Sequence, residues 1–313
     1  MDNLQSLVEQ AWELRKKNYP PVLTVAAPGA KHYDNKFYRN RSSSFVNISI
    51  TGHHCALQCS HCRGKLLETM ITAENPAAMQ KLIDNLIKTG CQGILVSGGA
   101  DQQGQVPLAP FLNEIAYAHD KGMKVLVHTG LVTRTMAERL AEAGVDQILI
   151  DVIGDEGTIK NVYHIDRNPD DYLRAMQICR EEGLTVVPHV VLGLDYGQIK
   201  GEIRALQMIK NIEPEVVVLV VIMPMSGTDM ASVQPPQLDK AAEVIATARL
   251  MNPSAELSLG CARPTGEYKR HLEIKAVDCG VNKMAYPDET TLEYATSKGL
   301  GLVFTENCCS MPG

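Results

Sequence analysis

The sequence predicts an α/β protein in which eight strand–helix units close into a TIM-type (βα)8 barrel. Strand-like apolar runs alternate with segments of helical periodicity eight times between residues 45 and 298. The runs are nearly continuous in valine, isoleucine and leucine, which is typical of parallel strands buried on both faces. The connections between them are short, as parallel βα units require. A partial (βα)6 barrel is the second choice.

The predicted elements follow one another in a regular order. The strands are placed at 45–51, 93–97, 124–128, 147–152, 184–192, 216–223, 256–260 and 283–286. The helices are placed at 75–89, 108–121, 134–143, 169–182, 198–211, 236–250, 267–278 and 289–297. A weak internal repeat supports this assignment, because the segments 88–99, 142–154 and 278–287 each contain a helix end, a glycine, a short turn and a strand.

Two segments flank the predicted barrel of residues 45–298. Residues 1–44 contain an amphipathic helix at 3–17, followed by a lead-in at 18–44 that is expected to be irregular. Residues 299–313 form a C-terminal tail that carries two cysteines. In a barrel of this type, the chemistry is expected at the C-terminal ends of the strands.

Composition and charge exclude several classes of protein. The formal net charge of −6 and a pI near 5.9 argue against nucleic-acid binding, because phosphate contacts need a basic surface. No apolar stretch reaches the roughly 20 residues of a membrane span, and the N-terminus does not have the pattern of a signal peptide. The nine cysteines, an odd number, indicate metal-binding or catalytic groups rather than a disulfide framework. We therefore expect a cytoplasmic protein with no nucleic-acid or membrane partner.

Three cysteines in the spacing C-x3-C-x2-C follow the first predicted barrel strand. Cys55, Cys59 and Cys62 therefore fall in the first βα loop, at the end of the barrel where chemistry is expected. One interpretation is a zinc site in which His53, His54 or His61 supplies the fourth ligand. The other is a [4Fe–4S] cluster, which takes one cysteine per iron and would here leave one iron open for a substrate or cofactor.

This spacing after the first strand of a βα barrel resembles the radical S-adenosylmethionine (radical SAM) superfamily. The resemblance implies that the open iron binds the amino and carboxylate groups of the methionine portion of S-adenosylmethionine. It also implies that an electron from the cluster cleaves the sulfonium and releases a 5′-deoxyadenosyl radical. His61 stands at the position before the last cysteine, which is usually aromatic in the family.

Further positions match the family in order along the chain. Ser97, Gly98 and Gly99 in VSGGAD resemble the stretch whose backbone holds the methionine amino group. The strand end VPHVVLGL, with His189, resembles the strand that contacts the adenine, and VVIMPMSGTDM, with Met223, resembles the next strand and loop of biotin-synthase-like members.

Four polar side chains are predicted at C-terminal strand ends. His128, Asp151, His189 and Arg263 are candidates for contacts to the ribose, a carboxylate or the substrate. The alternative is that each is a hydrogen-bonded internal residue of the barrel.

The remaining six cysteines divide into two groups. Three are predicted to be small buried residues of the core: Cys91, Cys179 and Cys279. The others are Cys261, at the end of the seventh predicted strand, and Cys308 and Cys309 in the tail. We expect the tail to fold over the barrel mouth, so that these three bind an auxiliary iron–sulfur cluster. Ser310, Arg263 or no fixed group supplies the fourth ligand, and the alternative is a frayed tail with incidental cysteines.

Short motifs resemble one subgroup in particular, the biotin-synthase-like proteins that form the two-protein lipoyl synthase. The motifs are SITGHHCALQCSHCRGKLLETM, GCARPTGEY and the terminal CCS. The resemblance implies sulfur insertion into a protein-bound octanoyl chain, with a second radical SAM subunit, an octanoylated carrier protein and an electron donor as partners. The chain departs from lipoyl synthase in having no cysteine before Cys55, and from biotin synthase in having no strand cysteines for a second cluster beyond Cys261.

Two other functions remain open. The first is a single-cluster radical SAM enzyme that catalyses a rearrangement or a cofactor-maturation step. The second is a metal-bound scaffold or substrate-binding subunit without catalytic activity.

Overall fold

A computed structural model describes residues 2–313, in which eleven parallel strands form one sheet. The strands are β1 Val22–Ala26, β2 Phe45–Ser49, β3 Ile71–Thr72, β4 Gly93–Ser97, β5 Lys124–His128, β6 Gln147–Asp151, β7 Val186–Leu192, β8 Val216–Val221, β9 Glu256–Leu259, β10 Lys283–Ala285 and β11 Gly301–Thr305. All eight predicted strands are present. The two-residue β3, which pairs with β2, was not predicted.

The helices also lie close to their predicted positions. They are α1 Asp2–Asn18, α2 Pro76–Lys88, α3 Leu112–Asp120, α4 Arg134–Glu142, α5 Glu156–Thr158, α6 Pro169–Glu181, α7 Glu202–Lys210, α8 Leu238–Met251, α9 Glu267–Asp278 and α10 Glu289–Ser297. Local sequence signals explain several of the boundaries. Asn75 caps α2 and Asn168 caps α6, and each is followed by a proline in the first turn. None of the helices between residues 2 and 313 has the length and apolar character needed to cross a bilayer.

The strand order is β11-β1-β10-β9-β8-β7-β6-β5-β4-β2-β3. The eight predicted strands thus lie side by side in chain order, which confirms the TIM-type α/β fold. The sheet ends at β3 and β11, and residues 27–44 connect the end of β1 to the start of β2. This connection packs against β11, where the ring of Tyr38 stacks on that of Phe304 at 4.7 Å.

The expectation that residues 18–44 are irregular is wrong for β1. Val22–Ala26 pairs with β10 on one side and with β11 on the other. The strand is short and has no alternation long enough to stand out in the sequence, so it was not recognised. Its partner β11 lies inside the segment predicted as the tail.

The two faces of the sheet have different partners. Side chains such as Val46, Ile94 and Val125 pack against the helices in the main core. The alternate residues of the strands point to the inner face, because successive side chains of a strand lie on opposite faces. We call the space on this face the lumen. It contains two further apolar clusters, one around Phe45, Leu126 and Leu149 and one around Val187, Val216 and Val218.

The end of the chain occupies the lumen. Cys308 and Met311 pack against the cluster of Phe45, Leu126 and Leu149, and Cys309 belongs to the other cluster. Ser310 is fully buried. The tail was expected to fold over the barrel mouth; it passes into the interior instead, where it fills space between the strands.

Candidate active site

The first cysteine set, Cys55, Cys59 and Cys62, lies in the loop that follows β2. Backbone hydrogen bonds hold this loop to the neighbouring β4 loop, since the Ala56 amide donates to the Ala100 carbonyl at 2.9 Å. Within the loop, the amides of Cys62 and Arg63 both donate to the Cys59 carbonyl. The loop is thus a compact turn that keeps its three thiols on one side of the barrel end.

Gly98 and Gly99 at the end of β4 let two segments approach closely. A Cβ atom on Gly99 would lie 2.0 Å from the His54 carbonyl oxygen and 2.5 Å from the Cys55 Cα. The Gly99 amide donates to the Thr51 hydroxyl at 2.7 Å, an acceptor that the sequence did not indicate. Glycine is therefore required here because the β4 loop and the cysteine loop are in backbone contact.

A second segment, also missed in the sequence, supports the cysteine loop. A π-helical turn at Ile159–Tyr163 follows α5, and its Val162 carbonyl accepts a hydrogen bond from the Ser60 amide at 2.8 Å. The Tyr163 carbonyl lies 3.9 Å from the Cys59 sulfur, and its ring packs on His61 with centroids 5.3 Å apart. Such turns are frequent at functional sites, but no short motif in the sequence marks this one.

The donor set of this loop fits a [4Fe–4S] cluster better than zinc. Over residues 2–313, no three cysteine, histidine or acidic side chains converge on a position that could hold a single metal ion, as a zinc site requires. His53 and His54 are exposed, and burial lowers the pKa of His61 to about 4. A cluster instead takes its thiolates on separate irons. Burial raises the pKa of Cys59 and Cys62, so cluster binding must displace protons from these thiols.

His128 and Asp151 end β5 and β6, and His189 lies beside Asp151 in the middle of β7, not at the end of that strand as expected. The His128 Nε2 lies 3.6 Å from an Asp151 carboxylate oxygen, and the rings of His128 and His189 are 5.8 Å apart. Burial opposes both charges of the pair, yet the mutual attraction raises the pKa of His128 and lowers that of Asp151 to about 2. Burial lowers the pKa of His189 to about 4. The group thus contains a charged pair beside a neutral imidazole.

The second cysteine set consists of Cys261, Cys308 and Cys309. Cys261 follows β9, and hydrogen bonding with the Cys309 thiol lowers the pKa of Cys261 and of Cys308. All three are free thiols. Hydrogen bonding from Cys309 and from Ser310 favours the thiolate of Cys308 and lowers its pKa. The tail cysteines therefore lie near Cys261.

The histidine–aspartate group adjoins both cysteine sets. The charge of Asp151 adds to the burial that raises the pKa of Cys59 and Cys62. On the other side, the Cys308 thiolate adds to the effect of Asp151 on the pKa of His128. The two cysteine sets therefore face the same part of the lumen.

Arg263 does not lie free at the barrel mouth, which corrects the prediction that it contacts a ligand or the second cluster. It is 3 % exposed, and its Nε and Nη2 donate to one Glu273 oxygen at 3.0 and 2.5 Å. Its other donors reach the carbonyls of Gly260 and Ala285. The position of Arg263 near the end of a strand suggested a contact to a ligand. Its guanidinium is instead paired with the carboxylate of Glu273, ten residues later in α9.

The remaining predicted residues lie at the same end of the barrel. Ser97 ends β4 and Met223 follows β8, and both are half-buried. The Ser310 hydroxyl is close to Cys308 but donates to the Gln147 side chain at 3.1 Å. Cys91, Cys179 and Cys279 are buried, as predicted for core residues.

Comparison with known proteins defines the family. Residues 49–206, half of the chain, match the model of the radical SAM superfamily. The chain therefore belongs to the radical SAM superfamily, a membership that implies a [4Fe–4S] cluster and S-adenosylmethionine. The cysteine loop, the two glycines and the histidine–aspartate group all lie within the matched segment.

One similar sequence extends over most of the chain and another over less than half of it. Biotin synthase of Prochlorococcus marinus (strain MIT 9515) is 23% identical over 283 residues, covering 87% of this chain and 82% of that protein. Fe-coproporphyrin III synthase of Methanosarcina barkeri (strain Fusaro / DSM 804) is 32% identical over 138 residues, which is 42% of this chain and 33% of that protein.

Two solved structures share the fold. Methylornithine synthase aligns over 96% of this chain and 90% of its own, with a TM-score of 0.64 and 14% identity. The FeFe-hydrogenase maturase HydG from Carboxydothermus hydrogenoformans aligns over 98% of this chain and 73% of its own, with a TM-score of 0.68 and 17% identity.

Replacing Gly99 with alanine is expected to displace the first cysteine set. The new Cβ overlaps backbone atoms of His54 and Cys55, so the loop must move, at a cost of about 1–3 kcal/mol. We expect Gly99→Ala to lose iron and to lose cleavage of S-adenosylmethionine after anaerobic reconstitution. Gly301→Ala is the matched control, because its nearest neighbour is 3.7 Å away. Wild-type cleavage by Gly99→Ala would contradict this account of the loop.

Replacing Arg263 with methionine tests its structural role. The change leaves Glu273, whose side chain has no exposed surface, with Lys269 as its remaining ion-pair partner. We expect a loss of about 3–5 kcal/mol in the free energy of unfolding, measured by urea denaturation of the metal-free chain. The control Lys240→Met removes an exposed pair with Glu243 and should cost at most about 1 kcal/mol. Equal losses in the two variants would contradict the assignment.

Proposed function

We propose that this radical SAM enzyme inserts sulfur into a protein-bound octanoyl chain, acting with a second radical SAM subunit in lipoyl cofactor synthesis. The observation that carries the proposal is the second cysteine set, which adjoins the same histidine–aspartate group as the first. A chain that needed only one cluster has no evident use for three further thiols gathered inside its barrel. Similarity to biotin synthase over most of the chain also supports it.

The first cysteine set would hold the [4Fe–4S] cluster through the thiolates of Cys55, Cys59 and Cys62. When bound, the cluster and S-adenosylmethionine supply the electron and the radical that removes hydrogen from an unactivated carbon. The contribution of the chain is to fix the loop through Thr51, Gly99 and Tyr163. A loop held in this way places its ligands on rigid elements, which is what precise positioning of a reactive group requires.

The second cysteine set would hold the auxiliary cluster that provides sulfur. Thiolates are the soft ligands that iron–sulfur clusters take. Arg263 is not available as a fourth ligand because Glu273 and two carbonyls occupy its donors. Ser310 adjoins Cys308 and would become a ligand only by giving up its hydrogen bond to Gln147.

The histidine–aspartate group lies where a substrate between the two cysteine sets would pass. The raised pKa of His128 favours the protonated imidazole, and Asp151 lies 3.6 Å from its Nε2. His189, with its lowered pKa, presents a neutral ring beside it. We assign His128 the binding of a polar group of the substrate, while the valine and leucine side chains of the lumen exclude water from the reacting carbon.

The partners follow from this chemistry. An octanoyl chain attached to a carrier protein must enter the barrel from its rim, so the carrier docks there. A second radical SAM subunit takes part in the sulfur insertion, and an electron donor reduces the cluster. These three partners are part of the proposal.

The double variant Cys308→Ala/Cys309→Ala tests the proposal. We expect iron per reconstituted chain to fall from about eight to about four, one [4Fe–4S] cluster being lost. Formation of 5′-deoxyadenosine should continue, since the first cysteine set is intact. Sulfur incorporation into the octanoylated carrier, measured by mass spectrometry in the presence of the second subunit, should disappear.

Cys91→Ala is the matched control, because Cys91 is a buried thiol away from both sets, and it should keep both activities. About four irons in the wild-type chain, together with unchanged product from the double variant, would identify a single-cluster enzyme. Failure of the wild type to cleave S-adenosylmethionine would instead favour a scaffold or substrate-binding subunit.

A further inference from the structure

We propose that Gln147, Glu256 and Lys283 are positioning residues for the second cysteine set, because they anchor the last four residues of the chain inside the barrel. The inference rests on the proposed function of that set and adds the residues that hold it in place. None of the three lies in the cysteine loops or in the histidine–aspartate group.

The anchor lies at the opposite end of the lumen from the cysteines. Gln147, Glu256 and Lys283 are the first residues of β6, β9 and β10. Because all strands of the sheet are parallel, these positions share one end of the barrel, which we call the floor. Cys261 follows the C-terminal end of β9, at the rim. The tail therefore passes from Cys309 directly to Ser310, Met311 and Gly313, which contact the floor residues.

Each anchor residue contacts the main chain of the tail. The Gln147 amide donates to the Ser310 carbonyl at 3.2 Å and accepts from the Ser310 hydroxyl at 3.1 Å. The Lys283 ammonium donates to the Met311 carbonyl. The Gly313 amide donates to the Glu256 carboxylate at 3.0 Å. These hydrogen bonds go to backbone groups of Ser310, Met311 and Gly313, so they fix the position of each tail residue along the lumen.

The chemistry of Lys283 points to the same role. It is 1 % exposed, and a buried lysine is unfavourable unless it is paired and hydrogen-bonded. Glu256 lies 3.8 Å from its ammonium, and the Met311 carbonyl supplies a second acceptor. A barrel floor is ordinarily filled by branched apolar residues. Gln147, Glu256 and Lys283 are polar side chains on this floor, and all three contact the tail. Their presence is explained by a role in holding the tail in place.

Apolar contacts also restrict movement of the tail along the lumen. Met311 and Cys308 contact the cluster of Phe45, Leu126 and Leu149, while Cys309 packs in the cluster of Val216 and Val218. A shift of one residue along the lumen would exchange the positions of adjacent side chains. It would break the bonds to Ser310 and Met311 and move the thiols away from Cys261. The anchor residues therefore hold the tail in the position that places Cys308 and Cys309 next to the Cys261 thiol.

The test uses the full-length chain before and after anaerobic reconstitution. The variants are Lys283→Met, Gln147→Leu and deletion of Met311–Gly313. Lys283→Arg is the conservative variant, which keeps a donor for the Met311 carbonyl. Lys124→Met is the matched control, because Lys124 also begins a strand but is exposed and pairs with Asp146 at 2.8 Å.

The first readout is the alkylation rate of Cys308 and Cys309, resolved from the other thiols by peptide mass mapping. We expect Lys283→Met and the deletion to raise this rate about tenfold, the effect of losing a charged buried hydrogen bond. Lys283→Arg should restore most of the protection, and Lys124→Met should match the wild type. Alkylation of the first cysteine set should not change. Unchanged rates for the tail thiols in both Lys283→Met and the deletion would overturn the inference.

The second readout, iron per chain, separates this inference from the proposed function. If the anchor inference and the proposed function are both correct, the wild type binds about eight irons per chain, while Lys283→Met and the deletion variant bind about four. Cleavage of S-adenosylmethionine should continue in these variants. If the wild type binds only about four irons, but Lys283→Met and the deletion still raise the alkylation rate of Cys308 and Cys309, the second cluster is refuted and the anchor is supported. If the wild type binds about eight irons, but neither variant changes the alkylation rate of Cys308 and Cys309, the second cluster is supported and the anchor is refuted. If Lys283→Met fails to fold, the deletion decides, because it leaves every strand residue in place.

Discussion

The parallel direction of all eleven strands is the constraint on which the rest of this structure depends. It brings the C-terminal ends of the strands to one rim and their first residues to one floor. It also directs alternate side chains of every strand into a single lumen. As a result, His128, Asp151 and His189 from three consecutive strands meet at one level, and the loops that follow β2 and β4 pack against one another.

A lumen of this kind must be filled, and here the chain end fills it. In a closed barrel, layers of large side chains from the strands pack the interior. In this barrel the tail takes part in that packing, because Cys308, Cys309 and Met311 lie against the two apolar clusters of the lumen. The tail supplies the missing apolar contacts through Met311 and brings two thiols with it. Packing of the lumen and assembly of the second cysteine set therefore use the same segment of the chain.

The sequence was sufficient for the elements that carry a long or repeated signal. Continuous runs such as VVVLVV and the repeat of helix end, glycine, turn and strand predicted the barrel units, and the cysteine spacing predicted the first site. Strands β1 and β11 were missed because they lie in the segments predicted as lead-in and tail, outside the repeated strand–helix units. The Arg263 assignment was wrong because residue type and strand position do not reveal a buried carboxylate on the following helix. The path of CCSMPG into the lumen has no local signal, although a lysine beginning the buried strand β10 was a clue to it.

The most direct test of the central claim, that two cysteine sets serve one lumen, is electron paramagnetic resonance of the reduced, anaerobically reconstituted chain with and without S-adenosylmethionine. Only a cluster with an open iron binds the cofactor. The account predicts two [4Fe–4S] signals, of which one shifts when S-adenosylmethionine is added and the other does not. A single signal that shifts as a whole, or two signals that both ignore the cofactor, would contradict it.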